Sequence, residues 1–308
     1  MIVYTHNDCL KKFNGQNHPE SKERLDIIID SIKSLPKLKI DFKKAPLAKM
    51  KEITLVHPKE HIDTIFNNIP KEGLTSVEKE PYADTMLCPQ SKNAILRSCG
   101  AGIAAVDDLM LNKERIFCAI RPPGHHAESK RANGFCFINN IAVAARYLQK
   151  KYKINKLAII DFDVHHGNGT QEIFYSDSSV AYASIHEYPL FPGTGSEDER
   201  GVGNIFNAPI KSGTKGIKFL EIFENKILKP LDKFKPEVIL ISAGFDAHIR
   251  DPLANINLES SDYFKITKKI TELANIHSKG RIISFFEGGY DLQALSESIK
   301  EHLIALKN

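Results

Sequence analysis

The segment DFDVHHGNGT holds the residues of this 308-residue chain that are best suited to bind a metal ion. Asp161, Asp163 and His165 stand at alternate positions, so a continuing strand would place their side chains on one face. Asp163, His165 and Asp246, which lies in the later segment AGFDAH, offer two carboxylate oxygens and one imidazole nitrogen. Three protein ligands leave one position of a tetrahedral ion open for water, which is typical of catalytic sites.

Two adjacent histidines add a second chemical feature. His125 and His126 follow the rigid turn RPPG, from which they could hydrogen-bond carboxylates and amides and face a metal-activated water. Gly167 and Gly169 are expected to let the chain turn away after the metal ligands. A solvated loop is the alternative interpretation of DFDVHH, and a second histidine pair makes that alternative weaker. Tyr290, after two glycines, is either a loop residue or a donor to a developing oxyanion.

The elements that must position these residues are strands that alternate with helices. Short apolar, β-branched runs predict buried parallel strands at residues 115–120, 156–160, 180–185, 238–242 and 281–286. Amphipathic patterns predict helices that include residues 139–151, 217–231 and 260–278. This alternation predicts an α/β fold with one open parallel sheet and helices on both faces. Each predicted strand runs directly into a polar segment, and ligands bind at the carboxyl ends of such strands.

Composition and charge narrow the classes of protein. The chain has 42 Lys and Arg residues against 38 Asp and Glu residues, a net charge of +4 without a basic block, so we expect no nucleic-acid partner. No segment has the length and apolarity of a signal peptide or membrane span, and we therefore expect a cytoplasmic protein. The five cysteines are scattered without CxxC spacing, which favours buried reduced thiols over disulfides or a thiolate metal site.

No linker, repeat or change of composition divides the chain, so residues 1–308 are interpreted as one domain. The polar stretch 67–89 is long for a connection and lacks clear periodicity, which makes it a candidate binding loop.

Taken in order along the chain, these motifs resemble the histone deacetylase and acetylpolyamine amidohydrolase superfamily. The similarity runs through HPE, RPPGHHAES, GFCFINN, DFDVHHGNGTQEIFY, FPGTG, SAGFDAHIRDPL and EGGY. The residues of SAGFD and HHGNGT resemble those of the class II branch. The resemblance implies the arginase/deacetylase fold, with a narrow tunnel that leads to zinc. It implies that Asp163, His165 and Asp246 are the metal ligands, His125 and His126 the tandem catalytic histidines, and Tyr290 the residue that polarises the carbonyl.

The resemblance also implies supporting roles around this centre. Asp161 would orient His125 and, with the Ser184 hydroxyl, help to form a monovalent-cation site, usually for potassium. His126 is expected to pair with Asn168, an amide where other branches have an aspartate. Because a carboxylate favours the imidazolium form and an amide does not, His125 is predicted to be the more cationic histidine and His126 the proton shuttle.

Residues of the substrate tunnel follow from the same resemblance. They are the walls Gly134, Phe135 and Phe191, the rim residue Asp84, the lip residue Leu253 and, near an inner acetate-release cavity, Arg24. Polyamine-specific relatives carry a glutamate at the position of Leu253. An apolar residue there suits the methylene stem of acyl-lysine better than an internal ammonium, because burial of an unpaired charge is unfavourable. Glu187 or Asp251 could still supply a charge partner.

The predicted function is therefore zinc-dependent removal of acetyl or other acyl groups from lysine in proteins or peptides. One alternative is an acetylpolyamine or other small-molecule deacetylase, and another is a non-catalytic acyl-lysine binding protein. A ureohydrolase with two manganese ions is disfavoured, since GFDAHIRD lacks the additional bridging aspartates. The donor set accepts zinc or iron(II), and the sequence leaves the oligomeric state open.

Overall fold

Apolar runs form the strands at the centre of a large parallel sheet. The computed structural model describes residues 1–77, 83–112 and 114–308. Within them, eight strands lie in the order β2-β1-β5-β10-β9-β6-β7-β8, and every neighbouring pair is parallel. The strands along the chain are β1 Ile2–Thr5, β2 Asp41–Lys44, β3 Thr75–Ser76, β4 Met86–Leu87, β5 Ile116–Cys118, β6 Leu157–Asp161, β7 Val180–Glu187, β8 Ile205–Ile210, β9 Val238–Ala243 and β10 Ile282–Phe286.

Helices connect the strands and cover the sheet. In the described residues they are α1 Asn7–Lys11, α2 Lys22–Lys33, α3 Met50–Ile53, α4 Lys59–Asn67, α5 Ser91–Asn112, α6 Asn140–Tyr152, α7 Asn168–Phe174, α8 Gly216–Ile222, α9 Lys229–Phe234, α10 Ser260–His277 and α11 Leu292–Lys307. A π-helix, Phe223–Leu228, joins α8 directly to α9, and a short 3-10 helix spans Pro36–Leu38.

The core lies on both faces of the sheet. In β6, Ala158 and Ile160 belong to one apolar cluster, together with residues of α2, α10 and α11. The alternate residues Leu157 and Ile159 belong to a second cluster, which contains residues of α5 and α6. Because side chains alternate along a strand, each strand packs against a layer of helices on either face of the sheet. The predicted parallel sheet with helices on both faces is confirmed.

Three strands of the large sheet, β1, β2 and β8, are not predicted by the apolar runs of the sequence. Two of these strands lie at its edges, where a strand does not need an apolar run: β2 reads DFKK and is largely exposed, and β8 contains Pro209. The third, β1, is a buried run of four residues at the start of the chain. The five predicted strands are present with ends shifted by zero to two residues, and the helix predicted at 217–231 contains the π-helical segment.

The candidate binding loop 67–89 contains more structure than its sequence indicates. Thr75–Ser76 and Met86–Leu87 form a two-stranded antiparallel pair, and residues 78–82 of the loop lie outside the described part of the chain. All five cysteines are buried and unpaired. No helix among the described residues is long and apolar enough to cross a membrane.

Candidate active site

Four adjacent strands at the middle of the sheet, in the order β5-β10-β9-β6, deliver the chemically unusual segments to one edge. Their carboxyl ends lead into RPPGHH, EGGY, AGFDAH and DFDVHH respectively. Because all four strands are parallel, the segments that follow them meet at the same edge of the sheet.

The three predicted metal ligands are brought together at this edge. Ligand atoms of Asp163, His165 and Asp246 all lie within 4.8 Å of one another, and the three residues are buried. His165 Nδ1 is 3.2 Å from Asp163 Oδ1 and 3.1 Å from Asp246 Oδ2. Backbone N–H groups hold the two carboxylates in place, because Gly288 donates to Asp163 Oδ2 at 2.8 Å and Val164 donates to Asp246 Oδ1 at 2.9 Å.

The ligands do not share one face of a strand, as their alternate spacing suggested. Strand β6 ends at Asp161, and the chain then bends over residues 163–165. Asp161 Oδ1 accepts the N–H of Asp163 at 3.2 Å, and Asp163 Oδ1 accepts the N–H of His165 at 3.0 Å. An aspartate that accepts an N–H two residues further on stabilises a turn, so these carboxylates shape the backbone that presents them.

The two glycines of HHGNG have a different role from the predicted one. Both have negative φ, and the reason for glycine is close approach rather than conformational freedom. A Cβ at position 167 would overlap the Asp161 carboxylate, and a Cβ at position 169 would overlap the carbonyl of Ala127. The glycines therefore allow the DFDVHH segment to pack directly against the histidine pair.

The two adjacent histidines have different partners. His125 Nδ1 lies 3.1 Å from Oδ2 of Asp161, which also accepts a hydrogen bond from the hydroxyl of Tyr182 at 3.0 Å. His126 Nδ1 lies 2.9 Å from Oδ1 of Asn168. The two imidazole rings are 4.0 Å apart between centroids.

The different partners give the two imidazoles opposite electrostatics. Burial lowers the pKa of His125, but the charges of Asp163 and Asp161 outweigh it and raise the pKa to about 10. Burial also lowers the pKa of His126, and the neighbouring His125 and His165 lower it further, well below the ordinary histidine value. His125 is thus the more cationic member of the pair.

A cavity of about 390 Å³ lies directly above these groups. His126 and His165 line its inner end, and we call these two together with the neighbouring buried residues His125, Asp163 and Asp246 the floor. We call the residues that surround its opening the walls: His18, Asp84, Gly134, Phe135, Phe191 and Leu253. A larger cavity of about 1020 Å³, lined mainly by residues 10–23, shares His18, Pro19 and Tyr290 with it but touches no floor residue.

The walls come from separate loops that contact each other. The backbone N–H of Phe135 donates to the Thr85 hydroxyl at 3.1 Å, and the rings of His18 and Phe135 pack edge to face at 4.8 Å. His18 Nε2 lies 3.0 Å from the carbonyl of Asp84. The 67–89 loop is thereby attached to two wall residues, Phe135 and His18, and its role as a binding loop stays a prediction.

Tyr290 lies at the cavity and is supported by a buried carboxylate. Burial raises the pKa of Tyr290 well above the ordinary tyrosine value, which keeps its hydroxyl a hydrogen-bond donor. Asp251 accepts the N–H of Tyr290 at 2.8 Å and that of Leu253 at 3.0 Å. Glu187 binds Asn255 through both carboxylate oxygens. Both acids considered as charge partners at the entrance are therefore buried and bound within the protein.

The last two predicted positions lie behind the floor. Arg24 is buried, donates to the carbonyls of Glu287 at 2.5 Å and Gly289 at 2.7 Å, and stacks on the Tyr290 ring at 4.7 Å. It lines neither of the two cavities, so its link with acetate release stays a prediction. Ser184 pairs with Asp161 in the β6–β7 register, and its hydroxyl contacts His186 Nδ1 at 2.9 Å.

Sequence reasoning missed two carboxylates that support the histidine pair. Glu287, the first residue of EGGY, accepts the N–H of Gly124 at 2.7 Å and of His125 at 3.3 Å. Glu128 accepts a hydrogen bond from Asn168 Nδ2 at 2.7 Å. Glu287 lies in the motif EGGY and Glu128 in RPPGHHAES, but nothing in the sequence predicts the hydrogen bonds that they accept.

Comparison with known proteins identifies the family. The family model of the histone deacetylase domain matches residues 18–306. Histone deacetylase 14, chloroplastic, of Arabidopsis thaliana is 34% identical over 315 residues, which cover 95% of this chain and 74% of the relative. A histone deacetylase-like amidohydrolase of Pseudomonas aeruginosa is 33% identical over 278 residues, which cover 88% of this chain and 71% of the relative.

A solved structure leads to the same conclusion. The crystal structure of the HDA15 HD domain superposes with a TM-score of 0.89 at 31% identity, and the match covers 99% of this chain and 90% of that chain. The chain therefore belongs to the histone deacetylase family of hydrolases, which act on amide bonds.

Proposed function

We propose that this protein is a zinc-dependent deacetylase that removes acetyl or other acyl groups from lysine side chains of proteins or peptides. The observation that carries this proposal is the grouping of Asp163, His165 and Asp246 beneath a cavity that also reaches His126 and Tyr290. Residues 1–308 are proposed to act as one catalytic domain. The cytoplasmic location stays a prediction.

The three ligand residues fit a zinc ion by the chemistry of their donors. Two carboxylate oxygens and one imidazole nitrogen, all within 4.8 Å of one another, are a common zinc donor set, and three ligands leave a position for water. The family is generally zinc-dependent. The same donors accept iron(II). We also propose a potassium ion near Asp161 and Ser184, because Asp161, the last residue of β6, is the register neighbour of Ser184 in β7.

In the proposed reaction, Asp163, His165 and Asp246 would hold a zinc ion, which would supply a Lewis acid for the amide carbonyl and for a water. His126 accepts the proton of the attacking water and then transfers it to the leaving amine. The Tyr290 hydroxyl donates a hydrogen bond to the oxyanion that develops on the carbonyl oxygen. His125, held by Asp161, provides a positive charge beside the reacting groups.

The cavity walls favour acyl-lysine as the substrate. Phe135, Phe191 and Leu253 present apolar surfaces that suit the methylene stem of the side chain. Glu187 and Asp251, the acidic residues considered as partners for a polyamine ammonium, are bound to groups of the protein itself. Asp84 at the rim is proposed to accept hydrogen bonds from the backbone amides of a peptide substrate.

A substrate panel on metal-reconstituted protein tests the proposal. It compares an acetyl-lysine peptide, longer acyl-lysine peptides and acetylated polyamines, with Tyr290→Phe as the control. We expect the highest kcat/KM on acyl-lysine peptides and a loss of roughly a hundredfold or more in Tyr290→Phe, similar to the removal of one oxyanion donor. Preference for acetylated polyamines would assign the small-molecule alternative. Binding of acyl-lysine without turnover of any substrate would instead support the binding-protein alternative.

A further inference from the structure

The side chain of Asn168 connects two functional groups of the loop 125–128. Its Oδ1 lies 2.9 Å from His126 Nδ1, and its Nδ2 lies 2.7 Å from Oε1 of Glu128. Asn168 is 7% exposed and is the first residue of α7, so the backbone of a helix holds it in place. Glu128 is only two residues after His126, and its own N–H is bound to the carbonyl of Arg131 at 2.9 Å.

The chemistry of these groups determines the direction of each hydrogen bond. An ionised carboxylate only accepts hydrogen bonds, so the group of Asn168 that faces Glu128 must be the NH₂. The amide oxygen therefore faces His126, and an amide oxygen also only accepts. A neutral imidazole has one N–H, and this network assigns it to Nδ1. Nε2 of His126 is then the nitrogen with a lone pair that is left for chemistry in the cavity.

We propose that Glu128 is a positioning residue that selects the proton-accepting tautomer of His126 by fixing the orientation of the Asn168 amide. The inference rests on the proposed role of His126 as proton shuttle. Because both ends of an asparagine amide have nearly the same shape, an external partner is needed to decide which end faces the histidine. The carboxylate of Glu128 supplies that partner.

Loss of this carboxylate has a definite consequence. Without an acceptor at position 128, the Asn168 amide can turn by 180° and present its NH₂ to His126. Nδ1 must then accept, the imidazole hydrogen moves to Nε2, and the ring can no longer take a proton from water. An aspartate at position 168 has an oxygen at both ends, so it needs no orienting partner.

The experiment measures kcat/KM of Glu128→Ala and Glu128→Gln in two backgrounds, wild type and Asn168→Asp. We expect Glu128→Ala to lose roughly tenfold to a hundredfold in the wild-type background, somewhat less than removal of a general base. In the Asn168→Asp background, Glu128→Ala should lose little or no kcat/KM, because an aspartate at position 168 needs no partner to orient it. Glu128→Gln keeps an oxygen that Asn168 can bind, so its loss should be smaller than that of Glu128→Ala.

Glu172→Ala is the matched control in both backgrounds. Glu172 is also a carboxylate that supports this loop, through the backbone N–H and the hydroxyl of Ser129 at 2.9 and 2.8 Å. No side-chain hydrogen bond joins Glu172 to Asn168 among the described residues, so its effect should be equal in the two backgrounds. The ¹⁵N spectrum of labelled histidine gives a second readout, since a ring nitrogen with a hydrogen differs from one with a lone pair.

The outcomes separate this inference from the proposed function. Equal losses for Glu128→Ala in the two backgrounds, or no loss in either, would overturn the inference, as would an unchanged His126 tautomer in Glu128→Ala. A background-dependent loss together with a mixture of tautomers would support it. His126→Ala, measured beside these variants, tests the proposed function itself, because retention of activity would remove His126 from the reaction.

Discussion

The floor and the walls of the cavity are built in different ways. Floor residues follow the ends of central strands and are between 0% and 8% exposed. The walls come from loops far apart in the chain, and two of them, Phe191 and Leu253, are 40% and 36% exposed. Carboxylates, amides and backbone N–H groups fix the floor, whereas contacts between distant loops, such as Phe135 N–H with the Thr85 hydroxyl, join the walls.

The chemistry and the substrate selectivity therefore reside in different parts of the cavity. Groups that act on the reacting atoms must be held within fractions of an ångström, and a buried, hydrogen-bonded sheet edge provides that rigidity. Groups that select the substrate can lie on loops, which tolerate change. We therefore expect floor substitutions to act mainly on kcat and wall substitutions mainly on KM and on substrate preference.

Removal of a metal ligand should produce the largest effect. Asp246→Ala is expected to lose bound zinc and about a thousandfold or more in kcat/KM, because a Lewis acid contributes several kcal/mol and each ~1.4 kcal/mol is tenfold. Glu187→Gln is the matched control, since Glu187 is also a buried carboxylate and, in the part of the chain that the structure describes, its side chain binds Asn255 alone. Elemental analysis reports the metal independently of activity. Full zinc occupancy in Asp246→Ala would exclude this residue as a ligand.

The next largest effect should separate the two histidines of the floor. His126→Ala is expected to lose about 10²- to 10⁴-fold in kcat/KM as the proposed general base, and His125→Ala less. The reason is that His125 faces the carboxylate of Asp161 and stays cationic, whereas His126 faces an amide. Rate–pH profiles of both variants provide the measurement. Comparable residual activities, or a greater loss in His125→Ala, would contradict the assignment.

The sequence predicts the floor better than the walls. Parallel strands end together, so polar residues after predicted strands must meet, and this alone groups Asp163, His165 and Asp246. The sequence did not predict how the backbone presents these ligands, because a turn stabilised by the Asp161 and Asp163 carboxylates stands where a continuing strand was expected. Periodicity cannot reveal such a turn, since side-chain acceptors for backbone N–H groups depend on three-dimensional distances.

The wall residues could be named only from the family resemblance. Their contacts join segments that are distant along the chain, such as His18 with Asp84 and Thr85 with Phe135. Neither spacing nor composition encodes a contact of this kind. The edge strands β2 and β8 escaped prediction for a related reason, because an edge strand needs no continuous apolar run.

His57 supports the loop that carries the wall residues Gly134 and Phe135, and its substitution should have an intermediate effect on stability. Its Nδ1 lies 3.1 Å from the carbonyl of Ser129, and its Nε2 accepts the N–H of Asn139 at 2.9 Å, so one ring closes the loop that carries Phe135. Burial, and then the neighbouring His61, lower the pKa of His57 to about 3. The ring is therefore neutral in the folded protein at pH 5, whereas in the unfolded chain it takes up a proton below about pH 6.5.

The sign of the pH dependence follows from this lowered pKa. As the pH falls from 7 to 5, only the unfolded state binds the proton, so the contribution of His57 to the free energy of unfolding decreases by about 2 kcal/mol. His57→Gln lacks this titration, and the difference in unfolding free energy between wild type and variant should shrink by that amount. Urea denaturation at the two pH values measures it. A difference that stays constant between the two pH values would show that burial of a neutral His57 does not cause the pH dependence of stability.

The smallest expected effect, at the lip of the walls, tests whether selectivity resides there. Leu253→Glu places a carboxylate at the cavity mouth, where it can pair with the ammonium of a polyamine. Because position 253 is 36% exposed, solvent screens the pair, which then contributes about 0.2–1 kcal/mol. We expect the ratio of kcat/KM for acetylated polyamine to that for acetyl-lysine peptide to rise several-fold. Leu253→Gln, which has the same shape without the charge, should shift the ratio much less. If the two variants shift it equally, loss of the apolar contact rather than charge determines the preference, and the walls select substrates by their fit to the methylene stem alone.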